Sequence, residues 1–157
     1  MKFAVLICVL MLTLSATRAS VVETGAFEQA RRIGEAHQRS FFLFSTAFGR
    51  YIIRHDGMGE VTFGARRRAF WLKRGMVGRV EKVYFHEYQG DLLLLYEVSN
   101  GGGYAARMNQ QSRKMRWLTP VDGNSIGPCI VDGDEAHCGA AEKLTKIDLD
   151  TGARLQD

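Results

Sequence analysis

Two cysteines and a histidine stand close enough near the C-terminal end to do chemistry together. Cys129 and Cys138 flank Ile130-Val131-Asp132-Gly133-Asp134-Glu135-Ala136-His137. Asp-Gly favours a tight hairpin turn. With Asp132 to Glu135 as a four-residue loop, Val131 faces Ala136, Ile130 faces His137 and Cys129 faces Cys138. Directly opposed residues of an antiparallel pair approach to the distance a disulfide needs. The alternatives are two free buried thiols, or a zinc site completed by His137. The spacing matches no common structural zinc site and no fourth ligand lies nearby. A Cys129–Cys138 disulfide is therefore expected, worth roughly 2.5–3 kcal/mol for so short a loop.

The other reactive side chains are scattered. His37, His55, His86 and His137 form no helical ligand pair, and each reads as a surface or hairpin residue. No phosphate loop and no glycine fingerprint at a strand–helix junction is present. Ser99-Asn100-Gly101-Gly102-Gly103-Tyr104 is glycine-rich but lies between two strand-like runs, so it reads as a turn. A quinone or calcium site needs a closed ring and a dedicated ligand set, which these residues do not supply. No catalytic, cofactor-binding or metal-binding residues are expected, and the chain is read as not an enzyme. Asn100, Asn109 and Asn124 lack the Ser or Thr that a glycosylation acceptor needs. The densest basic area is Arg66-Arg67-Arg68, with Arg50, Arg54, Lys73, Arg74 and Arg79 near in sequence. It reads as a solvated hairpin tip, the alternative being a surface for an anionic partner.

The formal net charge is +4, and about +2 once Lys2 and Arg18 are set aside with the leader described next. That balance is too weak to imply nucleic acid. Met1-Lys2 is a positive start, Phe3 to Ala16 an apolar core, and Thr17-Arg18-Ala19 offers small residues at the two positions a signal peptidase reads. This is the pattern of a secretory signal peptide over residues 1–19. Its apolar run of about 14 residues is short of the roughly 20 that span a bilayer. No later run is long enough to span one either. Residues 20–157 are expected to form one domain in the endoplasmic reticulum lumen or outside the cell. A disulfide is at home in either space.

The elements that hold these residues are strands. Ala26 to His37 is expected to be a short helix, limited by Gly25 and Gly34, or irregular. From Phe41 onward, β-branched and aromatic runs alternate with Gly, Asn and Asp clusters. The runs are Phe41–Ser45, Arg50–Arg54, Glu60–Phe63, Ala69–Lys73, Lys82–Glu87, Leu92–Val98, Tyr104–Met108, Met115–Leu118, Cys129–Val131, Ala136–Gly139 and Leu144–Leu149. None shows a sustained 3.6-residue period, so the fold is expected to be all-β. Trp71 and Trp117 stand 46 residues apart at matching places in a strand–turn–strand pattern, and Leu155 holds that place 38 residues further on. A period of roughly 40–45 residues built from four short strands has the length of a propeller blade. The expected architecture is an incomplete β-propeller of about two and a half to three four-stranded blades, with both tryptophans as wedges between sheets.

The turn Asp150-Thr151-Gly152 after Lys146-Ile147-Asp148-Leu149 resembles the repeat of quinoprotein-type propellers. Further motifs resemble the start of the largest lumenal subunit (subunit 1) of the endoplasmic reticulum membrane protein complex. These are Val21 to Gly34 after the leader, Val98-Ser99-Asn100-Gly101-Gly102 followed by Trp117, and the two cysteines around an acidic hairpin. Their order and spacing agree over roughly residues 22 to 140. That subunit is several times longer and ends in a transmembrane helix, so this chain would correspond to its first part. The resemblance implies a non-catalytic lumenal scaffold that supports membrane-protein insertion. Its partners would be protein subunits of a membrane complex or the remainder of a longer propeller. An autonomous secreted protein-binding module is the alternative.

Overall fold

A computed structural model describes residues 24–34, 40–99, 102–123, 126–140 and 143–156. The leader and His37 lie outside the described residues. The first elements are short strands, Thr24–Ala26 (β1), Glu28–Gln29 (β2) and Arg31–Ile33 (β3). They replace the short helix or irregular segment expected here. Three meanders of four consecutive antiparallel strands follow. The first is Phe41–Ser45 (β4), Arg50–Arg54 (β5), Met58–Phe63 (β6) and Arg66–Trp71 (β7). The second is Val80–Tyr88 (β8), Asp91–Val98 (β9), Gly103–Asn109 (β10) and Met115–Val121 (β11). The third is Gly127–Asp132 (β12), Glu135–Ala140 (β13), Lys143–Asp148 (β14) and Arg154–Leu155 (β15).

The N-terminal segment crosses all three meanders. Strand β3 pairs with β4, β2 with β8 and β1 with β12, so each sheet has five strands rather than the expected four. The open inner edges of β12, β8 and β4 present unpaired backbone groups, and an extended segment satisfies them where a helix would not. Phe27 N–H donates to Cys129 O and Ala30 N–H to Val83 O, both at 2.9 Å. Phe27 and Ala30, the residues between the short strands, are buried.

The sheets stack as three layers with two cores. Strand β9 explains why. Its Leu92, Leu94, Tyr96 and Val98 join Phe42, Phe44, Tyr51, Ile53 and Phe70 of the first sheet. Its Leu93 and Leu95, on the opposite face, join Cys129, Val131, Ala136, Cys138 and Ile147 of the last. A strand buried on both faces must be apolar at nearly every position, and β9 is, from Leu92 to Tyr96.

Two outer turns are built alike. In β10–β11, Asn109 Oδ1 accepts from Ser112 N–H at 2.8 Å and Asn109 O from Arg113 N–H at 2.8 Å. In β14–β15, Asp148 Oδ1 accepts from Thr151 N–H at 2.7 Å and Asp148 O from Gly152 N–H at 2.8 Å. Arg113 and Gly152 take the same left-handed backbone, with φ of 60° and 74°. The β6–β7 connection is shorter: Phe63 pairs with Arg66 across a two-residue turn. Arg66 flanks that turn and Arg67 and Arg68 follow it in edge strand β7, all three exposed, so the basic run extends from the expected hairpin tip along the edge. Charge on an edge strand blocks stray pairing.

Candidate partner-binding surfaces

The two interfaces between sheets are locked by polar side chains as well as apolar ones. Between the last two sheets, Trp117 donates its indole N–H to Leu149 O at 2.9 Å. Its ring lies where a Cβ on Gly152 would be, 2.5 Å from the nearest ring atom. Beside it Arg107 donates to Asp91 at 2.7 Å, to Leu149 O at 2.8 Å and to Asp150 at 3.0 Å. Asp91 also accepts from Asn109 and pairs with Arg116 at 2.6 Å. Burial pushes the Asp91 carboxyl up, but the bonds from Arg116, Arg107 and Asn109 outweigh it and hold it below the usual carboxylate range. Between the first two sheets, buried Gln110 accepts from Tyr51 at 2.8 Å and Thr46 at 2.9 Å and donates to Glu87 at 3.3 Å. These groups are fully engaged in joining sheets.

Trp117 is thus the wedge expected. Trp71 is not: it is 44% exposed, and its neighbour Phe70 is buried with its ring over Gly59. The reason is phase. Successive residues of a strand face opposite ways, so an offset of one moves a side chain to the other face. A bulge at Arg107–Met108 opposite β11 shifts the middle sheet by that one residue. Phe70, Trp117 and Leu155 are the structurally matching positions.

Cys129 and Cys138 are joined in a disulfide, with Cα atoms 4.3 Å apart. The expected pairing of Ile130 with His137 and Val131 with Ala136 is observed. The sulfurs face the inner core. His137 faces the other way and meets Glu135 at 3.2 Å, so the zinc alternative has no ligand set. His86 stacks on Phe27, with ring centroids 5.7 Å apart. Lys73 is engaged by Tyr104, 3.3 Å from its hydroxyl.

What remains open are the outer faces of the two end sheets. On the first sheet, alternation and register put Ile33, Phe41, Leu43, Ile52, Met58 and Trp71 on the outer side. Arg31, Arg50, Arg54 and Arg67 share that face with one acid, Glu60. On the last sheet, Ile130, Leu144 and Leu155 face outward and are 58%, 54% and 37% exposed. Asp132, Glu135 and Asp148 form an acidic row beside them, with Lys146 and His137 between. One end is apolar and basic, the other apolar and acidic. Arg50, Arg54, Arg67, Trp71 and His137 stood out from the sequence, but not as members of these faces, because which side of a strand is covered depends on the neighbouring sheet.

One spacing relevant to catalysis is Gly123-Asn124-Ser125-Ile126-Gly127, which has the form of a nucleophile elbow. That motif works at a strand-to-helix turn. Here it joins strands β11 and β12, and Asn124 and Ser125 lie outside the described residues. Among the described residues no group of three or more His, Cys, Asp or Glu side chains is placed to hold a metal ion. No described helix is long and apolar enough to cross a membrane. No protein-family model, curated protein or solved structure matches the chain.

Proposed function

We propose that this chain is a non-catalytic scaffold module, a partial β-propeller whose three meanders are blades and whose end faces take up protein neighbours. The observation that carries this reading is the pair of outer faces, apolar and oppositely charged, on sheets whose inner faces already pack sheet against sheet. An exposed apolar sheet face rimmed by charge is a protein-binding surface. The repeated outer turn and the seating of Trp117 on the Asp148–Gly152 turn support the propeller part. The Cys129–Cys138 disulfide supports an oxidising compartment. Through its resemblance to subunit 1 of the endoplasmic reticulum membrane protein complex, the chain is assigned to the lumenal side of a membrane-protein insertion complex.

The test is to cross-link the tagged full chain in cells and identify what it retains. Wild type should recover subunits of a membrane complex. Phe41→Lys with Leu43→Lys, or Ile130→Lys with Leu144→Lys, should lose them. Recovery of a secreted chain with no membrane-complex subunit would support the autonomous module instead. Equal recovery by wild type and both variants would remove the end faces from the argument.

A further inference from the structure

A cleft of about 280 Å³ opens where the edge of the first sheet meets the β10–β11 turn of the middle one. Its floor is apolar: Val61, with Phe48 and Phe63 stacked at 5.4 Å between centroids. Its walls are Arg66, Arg68, Gln111 and Arg113. No carboxylate lines it among the described residues. The contrast within the arginine run is informative. Arg67, on the opposite face of β7, pairs with Glu60 at 3.2 Å. Arg66 and Arg68 face the cleft with Arg113, and its described lining supplies them with no acid. Phe63 at its floor is 58% exposed.

Arg113 adds an independent sign. It occupies the left-handed position that Gly152 fills in the matching turn of the last sheet. A residue with a side chain costs more there than glycine does. Strain of this kind persists at binding sites, where the side chain is worth its cost. Arg113 is also held in place, donating to Gln111 O at 3.2 Å.

We infer that this cleft binds an extended acidic peptide, with carboxylates on the arginines and an apolar side chain on Phe63. Arg66 and Arg68 are two apart on one strand, so their forks repeat at about 7 Å, the spacing of alternate side chains in an extended chain. Guanidinium groups take carboxylates bidentately. Strand β7 is the outermost of its sheet, so an extended peptide can lie along its free edge, and the arginines that repel other chains there select an acidic one. The apolar floor favours a peptide over a sulfated sugar, which has no side chain to place on Phe63. This inference stands whether or not the end faces carry partners.

The test uses the full chain and a labelled peptide of alternating Glu with Ile and Phe, followed by fluorescence anisotropy. Binding should weaken with added salt. Arg66→Gln with Arg68→Gln should weaken it at least about tenfold, more than 1.4 kcal/mol. Arg67→Gln, on the other face, should leave it unchanged. Arg113→Gly should weaken binding while leaving the thermal midpoint equal or higher, which a purely structural arginine would not do. Phe63→Ser should weaken binding of this peptide but not of inorganic phosphate. Equal binding of the peptide with Gln in place of Glu, or an equal loss with Arg67→Gln, would overturn the proposal. So would tighter binding of heparin fragments that is insensitive to Phe63→Ser.

Discussion

Asp91 holds two arginines on one buried carboxylate, and its charge is what lets Arg107 stay buried. Its folded pKa lies below the unfolded value of about 3.9. The stabilisation is therefore complete above that value and is lost as pH falls through the lower folded one. Asp91→Asn should cost roughly 3 kcal/mol at neutral pH, the low end for a broken buried pair because Asp150 still faces Arg107. Urea unfolding at neutral pH and near pH 3 should show a smaller acid loss in the variant than in wild type. An equal loss would place the acid-sensitive group elsewhere. The two tryptophans should part company in the same assay. Trp117→Ala should cost roughly 3–5 kcal/mol. Trp71→Ala, at an exposed position, should stay within about 1 kcal/mol.

Two elements hold the sheets from the inside. The N-terminal strands β1 to β3 stitch the three inner edges together, with Phe27 inserted into the second core. Phe27→Ala should cost roughly 3–5 kcal/mol. It should also speed hydrogen exchange at Phe27 and Ala30 well before exchange in β9. Uniform loss of protection would mean that the segment unfolds only with the whole. The disulfide belongs to the β12–β13 hairpin. Replacing both cysteines with serine should cost roughly 2–3 kcal/mol and leave the circular dichroism of the strands unchanged. A loss of strand signal would make the disulfide a condition of folding rather than an addition to it.

At the scale of the molecule, the two end faces match in character: basic and apolar on one side, acidic and apolar on the other. Such faces favour head-to-tail association, the arrangement already used twice inside the chain. Purified full chain at micromolar concentration should sediment as more than a monomer and bind a hydrophobic dye. Raised salt should weaken the charged part of the contact. Leu43→Lys with Trp71→Lys should return it to a monomer without lowering its unfolding midpoint. A sharp wild-type monomer with no dye signal would show that the end faces are covered within the chain.

The sequence by itself determined most strands from Phe41 onward, several turns and the disulfide. Phe41–Ser45 and Arg50–Arg54 are strands over the same residues that the alternation marks, and Asp132-Gly133 sets the register that pairs Ile130 with His137, next to the bonded Cys129 and Cys138. These features are local: a side-chain period of two, or a turn a few residues long, is written in consecutive letters. Strands β1 to β3 were not legible. Two or three residues carry no period, and their partners lie 8 to 108 residues away in the chain. The facing of Trp71 was not legible either, because a bulge in another sheet sets the phase of its match. Nor was the cleft, which joins Arg66 and Arg68 to Arg113 across two sheets. Only tertiary structure decides which face of a strand is covered, since that depends on what the neighbouring sheet brings to it.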